Sequence, residues 1–269
     1  MRAAAALLVA VMLAVGATSA QRRGERYATG RVPENPKYDG AFQFCRIAFR
    51  NASNGDGYGW YVDWPRADEN LTFRLSELTT TIVSDKGPRN YNHSVMNLTD
   101  AMTLSRCPFT MLTEPGGAFF DEAEARGLRE YLERGGFLWA DDFWGEYAWE
   151  HWLGELRKAL PSGEFTVSDV PMDHPIFHVL YDVREFPQIP GIGFWVRSGG
   201  RTSERGQDSA VPHARAAFDS SGHMLVFMTH NTDIGDAFER EGDSREYFEA
   251  FAGKGYAVGV NVILYAMTH

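Results

Sequence analysis

The chain has 269 residues and a formal net charge of −10, with 26 Lys and Arg against 36 Asp and Glu. A protein this acidic repels nucleic acid and anionic lipid headgroups, so neither is an expected partner. Its two cysteines are too few for a zinc site built mainly on thiolates. The length suits one large domain, and we attribute the charge to solubility.

The amino terminus has the three-part pattern of a secretory signal peptide. A basic start, Met1-Arg2, precedes an uncharged apolar run over residues 3–15, and small residues continue to Ala20. We therefore predict a signal peptide over residues 1–20, cleaved after Ala20, and a periplasmic or secreted protein. An uncleaved anchor is the alternative, because the 18 residues from Ala3 to Ala20 are barely long enough to span a bilayer. No later segment is predicted to be long and apolar enough to cross a membrane.

The remaining chain divides into a lead-in and one domain. Residues 21–40 are polar and basic with Gly and Pro, which predicts a flexible lead-in. Residues 41–269 predict a single α/β domain with a mostly parallel sheet and helices on both faces. Residues 162–222 are less regular and predict an elaboration of that domain, with strand pieces near residues 165–167 and 194–196.

The apolar pattern predicts alternating strands and helices from residue 42 onwards. Asp68 is placed to cap the first helix, and Asp121 with Glu124 has the capping-box spacing before a helix that ends at Gly135. Strand, helix and strand over residues 108–142 predict a βαβ unit with parallel strands. Further strands are predicted over residues 42–49, 81–83, 95–98 and 223–229, and further helices over residues 68–80, 147–160, 244–251 and 257–267.

The two cysteines, Cys45 and Cys107, both lie in apolar, strand-like segments. In an oxidising compartment they could form a disulfide. Two separate buried thiols are the alternative, and the spacing does not decide between them.

The polar residues that follow the predicted strands define a candidate site. In open parallel sheets ligands bind beyond the carboxyl ends of the strands, so we expect these side chains to gather at one edge. Adjacent carboxylates at residues 141 and 142 repel each other, which raises one pKa or recruits a cation. Alternatively, one caps the next helix and the other faces solvent. The candidate ligand-binding residues after strands are Glu114, Asp141, Asp142, Trp144, His230, Asn231 and Asp233.

A further candidate cluster lies beside the first helix and comprises Asp63, Trp64, Asp68, Asn70 and Arg74. Asp63 and Asp68 are its candidate ligand-binding residues, although Asp68 has a structural reason to exist as a cap. Trp144 lies in a loop, where it could stack on a ligand. Residues 230–236 resemble the start of a calcium loop, but Gly242 stands where an EF-hand needs a carboxylate. We assign no metal ligands and no cofactor.

Several motifs occur together between residues 40 and 268. They are Trp60-x-x-Asp63-x-Pro65-x-Ala67-Asp68-x-Asn70-Leu71, Cys107-Pro108-Phe109, Leu128-x-x-Tyr131-Leu132-x-x-Gly135-Gly136-Phe137-Leu138-x-x-Asp141-Asp142, His174-Pro175-Ile176-Phe177 and Asn261-x-Ile263-x-Tyr265-Ala266. In combination they resemble the bacterial domain-of-unknown-function family 4159. The resemblance implies a fold similar to class I glutamine amidotransferases, which is a flavodoxin-like arrangement, and leaves association with a membrane complex open.

The chemistry of amidotransferases is not expected from this resemblance. Those enzymes carry a nucleophilic Cys on a tight, Gly-flanked elbow, and neither Cys45 nor Cys107 has such flanks. A fold alone does not carry a function. Glutamine hydrolysis is therefore not predicted.

The sequence predicts two classes of function. The first is an exported protein that binds an unknown small ligand or protein partner, with the acids and His230 lining the cleft. The second is a carboxylate- or metal-dependent hydrolase of a carbohydrate or related polymer. In that reading Asp141 or Asp142 is base or nucleophile, Glu114 or Asp233 is the acid, and Trp144 stacks on a sugar. A cation held by Asp141 and Asp233 is a variant of the second class.

Overall fold

The structure is a computed structural model that describes residues 31–269. The predicted signal peptide, residues 1–20, and residues 21–30 of the predicted lead-in lie outside the described residues. Residues 31–40 form no helix or strand. Asn35 nevertheless attaches this segment to the domain, because its side-chain amide donates to the carbonyl of Val95 and accepts from the Val95 amide, both at 2.8 Å.

A mostly parallel sheet of seven strands forms the centre of the described chain, in the order β3-β1-β4-β6-β9-β8-β7. Strands β3, β1, β4, β6 and β9 run parallel, whereas β8 and β7 are antiparallel to their neighbours. Strands β2 and β5 form a separate antiparallel pair. The strands are β1 (Phe44–Ile47), β2 (Arg50–Asn51), β3 (His93–Met96), β4 (Phe109–Thr113), β5 (Ala118–Phe119), β6 (Phe137–Phe143), β7 (Thr166–Asp169), β8 (His213–Phe218) and β9 (Met224–His230).

Helices cover both faces of this sheet, as the sequence predicts. Successive side chains of a strand point to opposite faces, so in β6 Leu138 belongs to the core cluster on one face, with Leu156, and Trp139 belongs to the cluster on the other, with Leu71 and Ile263. The arrangement is consistent with a flavodoxin-like fold. The helices are α1 (Arg66–Leu78), α2 (Ala101–Leu104), α3 (Glu122–Glu133), α4 (Gly145–Ala159), α5 (Ile192–Ser198), α6 (Ile234–Glu239), α7 (Arg245–Tyr247) and α8 (Gly253–Thr268).

The local signals of the βαβ unit are confirmed. The Asp121 carboxylate accepts from the amides of Ala123 and Glu124, and the Glu124 carboxylate accepts from the Asp121 amide at 2.9 Å. Strands β4 and β6, which flank α3, pair in parallel. Helix α3 ends at Glu133 with Arg134 as its C-cap, and the next residue, Gly135, has a φ of 90°, a left-handed conformation that glycine adopts without strain.

A disulfide joins Cys45 in β1 to Cys107, which lies just before β4. The bond links positions 62 residues apart in sequence. Of the two alternatives that the sequence leaves open, the structure therefore has the disulfide.

Two sequence predictions within the helices are wrong. Asp68 does not cap α1, because the helix begins two residues earlier at Arg66 and Asp68 is buried inside it, bonded to Arg46. Residues 194–196, predicted as a strand piece, lie in α5. Their aromatic and β-branched side chains favour a strand, but Trp195 packs against Tyr247 and Phe251, and this tertiary packing outweighs local preference.

The last helical segment corrects a further expectation. By length and composition, Arg245–Thr268 is apolar enough to cross a membrane, contrary to the sequence prediction. Of its most apolar stretch, 61% is buried inside the protein, with Val258, Val260 and Ile263 in the core against the sheet. This is the environment of a core helix of an α/β domain.

Candidate functional site

The carboxyl ends of β4, β6 and β9 lie side by side and deliver acidic residues to one edge of the sheet. Glu114 follows β4, Asp142 lies near the end of β6, and Asp233 stands between β9 and α6. Asp63 reaches the same place from the segment before α1. Parallel strands explain this convergence, because their carboxyl ends share an edge.

Asp142 is turned out of its strand by a break in the register between β6 and β9. Its φ of 60° is left-handed, which is uncommon for a residue with a side chain. A bulge of this kind re-aims a side chain that would otherwise follow the strand alternation. The indole Nε1 of Trp144 donates to Asp142 Oδ1 at 2.9 Å and holds the carboxylate in place. Trp144 is itself buried and is not exposed for stacking on a sugar.

Asp63 is placed by a buried arginine in β1. The guanidinium of Arg46 donates to the carbonyl oxygens of Trp60 and Val62, at 3.3 and 3.2 Å, while it binds Asp68. These hydrogen bonds therefore fix the position of the segment that ends at Asp63. The Oδ2 atom of Asp63 is buried and has no hydrogen-bond partner among the described residues.

Asp233 occupies the N-cap position of α6. Its Oδ1 accepts from the amide of Asp236 at 2.7 Å, and its own amide donates to the carbonyl of Ile189 at 2.8 Å. An N-cap acceptor satisfies an otherwise unpaired helix amide, which explains the position of the backbone here. The second oxygen, Oδ2, is not used by this cap.

Asp63, Asp142 and Asp233, which we call the carboxylate triad, each place one oxygen within 4.8 Å of the other two. Their exposed fractions are 6%, 8% and 5%. Burial raises the pKa of all three carboxyls well above the ordinary value, and the neighbouring carboxylates raise it further. Among the described residues, no Lys, Arg or His forms an ion pair with any of them.

A second acidic group, Asp63 with Asp236 and Glu239, has a different electrostatic environment. The Arg240 guanidinium lies 3.4 Å from an Asp236 oxygen and 2.7 Å from a Glu239 oxygen. Asp236 also accepts from the amide of Ile192 at 2.5 Å. This group therefore contains ion pairs, whereas the carboxylate triad forms none within residues 31–269; the nearby Arg46 charge only opposes the rise in the pKa of Asp63.

Glu114 lies at the edge of the same region but has a structural partner. Its carboxylate accepts from the amides of Tyr58 and Gly59, the second at 2.6 Å, and so holds the glycine-rich loop before Trp60. Burial raises the pKa of Glu114 to about 7. Its backbone is left-handed, with a φ of 52°.

Asp141, next to the triad, forms hydrogen bonds with the backbone at the start of α6. Its oxygens accept from the amides of Gly235 at 2.8 Å and Ile234 at 3.3 Å, and from the hydroxyl of Thr229. Burial raises the pKa of Asp141 to about 6, although these three donors oppose the rise. The adjacent acids thus have separate roles, because the register break points only Asp142 at the triad.

His230 and Asn231 make structural contacts instead of joining the acids. The His230 ring lies 4.9 Å from that of Phe143 and 5.5 Å from that of Trp149, and its Nε2 bonds to the Gly145 carbonyl at 3.0 Å. Burial lowers the pKa of His230 to about 4, so the ring is neutral near pH 7. Asn231 accepts from the Gly145 amide and donates to the Val211 carbonyl, both at 2.8 Å.

The structure thus brings Asp63, Asp142 and Asp233 together, with Glu114 near them, and gives the other candidates supporting roles. Sequence reasoning did not identify Arg46 or Gly235, which both shape the site. An arginine inside an apolar strand was the available signal for Arg46, since a buried guanidinium requires a partner. A Cβ at position 235 would lie 2.4 Å from Asp63 Oδ2, so glycine there makes room for that oxygen.

The fold and the site define an α/β protein with a buried carboxylate cluster at the carboxyl edge of its parallel strands. The chain belongs to the family described as Domain of unknown function (DUF4159), whose model matches residues 46–267. A search of curated proteins finds no match.

Proposed function

We propose that the protein is an exported binding domain that holds a positively charged ligand at the carboxylate triad. One observation carries this proposal: three buried carboxylates lie together without an ion-pair partner in the described part of the chain. Buried charge is costly unless it is paired, so such a cluster is relieved by protons or by a cation. In a cation-binding site, the repulsion among the three carboxylates favours binding of the cation. In a purely structural cluster, the same repulsion would only destabilise the fold.

Export is supported by two independent features. The first 20 residues have the signal-peptide pattern, and the Cys45–Cys107 disulfide suits the oxidising periplasm or the cell exterior. The second feature does not depend on the first, because it concerns residues of the folded domain. Mass spectrometry of the protein secreted by a bacterial host tests this part: the mature chain should begin at Gln21, and retention of residues 1–20 would contradict cleavage.

Catalysis has less support than binding. An amidotransferase-like fold remains part of the proposal, but the disulfide occupies both cysteines, so neither thiol is free to act as a nucleophile. The hydrolase alternative requires a polymer to reach two carboxyl groups. The small exposed fractions of the triad favour a compact ligand instead.

Thermal denaturation with a panel of ligands tests the proposed function. Calcium, magnesium, spermidine and choline salts are compared with neutral sugars at constant ionic strength. We expect at least one cation to raise the Tm of the wild type, because a ligand that binds only the folded state stabilises it. The increase should vanish in Asp142→Asn. If no cation raises the Tm, or if the variant responds fully, the proposal is overturned.

A further inference from the structure

The donor atoms of the carboxylate triad indicate which cation fits it. All three side chains offer oxygen, and no Cys or His belongs to the set. Oxygen-only sites suit hard cations such as Ca²⁺ and Mg²⁺, whereas zinc and copper sites include nitrogen or sulfur donors. The triad therefore has the composition of a site for a hard divalent metal ion.

The spacing agrees with a single shared ion. Oxygen ligands lie about 2.3–2.6 Å from Ca²⁺, so two ligands on opposite sides of the ion are roughly 4.6–5.2 Å apart. The three oxygens of the triad lie within 4.8 Å of one another, which is inside the upper limit of this spacing. Mg²⁺ keeps several waters and usually takes one or two carboxylates, so a buried set of three favours Ca²⁺.

The hydrogen bonds around the triad leave oxygen atoms available for the ion. Trp144 uses Oδ1 of Asp142, and the Asp236 amide uses Oδ1 of Asp233. Asp63 Oδ2 is the independent observation, because it is a buried acceptor that no donor among the described residues satisfies. An unsatisfied buried carboxylate oxygen in a native structure calls for an explanation, and an ion supplies one.

We propose that Asp63, Asp142 and Asp233 bind one Ca²⁺ ion in preference to Mg²⁺, a site that rests on the proposed function and identifies its ligand. The three ligands come from the loop before α1, the end of β6 and the start of α6. The ion would join three separate parts of the fold at the carboxyl edge of the sheet.

Titration calorimetry on the chelator-treated mature protein, which begins at Gln21, tests this site. CaCl₂ or MgCl₂ is added up to about 5 mM, which covers the roughly 10⁻⁴–10⁻³ M affinities of extracellular calcium modules. We expect one Ca²⁺ per chain, and at least about tenfold weaker binding for Asp142→Asn and for Asp233→Asn. Asp173→Asn, which changes an exposed carboxylate elsewhere, is the matched control and should bind as the wild type does.

The metal-free variants provide a second readout that a structural role would not produce. Removing one charge relieves repulsion, so metal-free Asp142→Asn should unfold at or above the wild-type Tm while losing its response to Ca²⁺. A structural acid would instead lower the Tm when changed. If Asp142→Asn does not fold, the same comparison with Asp233→Asn decides.

The remaining outcomes separate this site from the proposed function. If Ca²⁺ does not bind, or binds equally to the wild type and the triad variants, the calcium site is overturned. If, in addition, spermidine or choline stabilises the wild type and not Asp142→Asn, the proposed function survives with an organic cation as ligand. If no cation binds at the triad, both proposals fail.

Discussion

The guanidinium of Arg46 binds the carboxylate of Asp68 in the interior, and both side chains are fully buried. Arg46 comes from β1 and Asp68 from α1, so the pair fastens the helix to the sheet. The same guanidinium donates to the carbonyl oxygens of Trp60 and Val62. A single buried ion pair thus fixes the segment that presents Asp63 to the carboxylate triad.

Asp68→Asn should destabilise the protein strongly. The variant leaves the Arg46 charge buried without a compensating carboxylate, and breaking a buried pair in this way costs about 3–5 kcal/mol. Denaturant unfolding gives the free energy directly. Glu249→Gln breaks the exposed pair with Arg245 and is the control, with an expected change below about 1 kcal/mol. Equal losses in the two variants would contradict the role given to the buried pair.

Local signals in the sequence predict much of the fold. The capping box at Asp121, the glycine after α3 and the apolar strands on either side act over a few residues, so they can be read without knowledge of the tertiary structure. The prediction for Asp68 was wrong for the opposite reason. A carboxylate near a helix start is typical of a cap, and only the position of Arg46, 22 residues earlier, shows that it is an ion-pair partner.

The sequence predicts the location of the site at one edge of the sheet, but not its composition. The strand ends place Asp142 and Asp233 at the same edge, but periodicity does not reveal the register break that separates the roles of Asp141 and Asp142. His230 ends β9 at that edge as well, yet its ring packs between aromatic side chains. Asp63 joins the site because a distant arginine positions its loop, which no local pattern encodes.

Removal of the disulfide should lower the free energy of unfolding. The bond closes a loop between two residues that are 62 positions apart in the sequence. In the chain-entropy model, the loss of this constraint on the unfolded chain lowers the free energy of unfolding by about 4 kcal/mol. Urea unfolding of Cys45→Ser/Cys107→Ser is compared with the wild type in the presence and absence of a reductant. The reduced wild type should match the double variant. An unchanged midpoint in both would show that the bond does not stabilise the fold.

Glu114→Gln should alter the dependence of stability on pH. The folded-state pKa of Glu114 is raised from 4.5 to about 7, so this group contributes stability below pH 4.5 that is lost as the pH rises through 7. Glutamine keeps an acceptor for the Tyr58 and Gly59 amides without a charge. The free energy of unfolding of the variant, relative to that of the wild type, should therefore rise between pH 4.5 and 7 by up to about 3 kcal/mol.

The measurement is the difference in unfolding free energy between Glu114→Gln and the wild type at several pH values. Glu150→Gln, on the exposed side of α4, is the matched substitution. A difference for Glu114→Gln that stays constant from pH 4.5 to 8 would show that the carboxyl titrates normally in the folded protein.

Gly235→Ala tests the space that Asp63 requires. A Cβ at position 235 would lie 2.4 Å from Asp63 Oδ2, so alanine there must displace this oxygen. A Cβ at Gly154, inside α4, meets nothing within 4 Å. Alanine favours a helix over glycine by about 1 kcal/mol, so Gly154→Ala should raise the free energy of unfolding without affecting the site. Calorimetry should therefore show wild-type Ca²⁺ binding for Gly154→Ala and weaker binding for Gly235→Ala. Undiminished binding in Gly235→Ala would mean that the position of Asp63 Oδ2 does not matter for the ion.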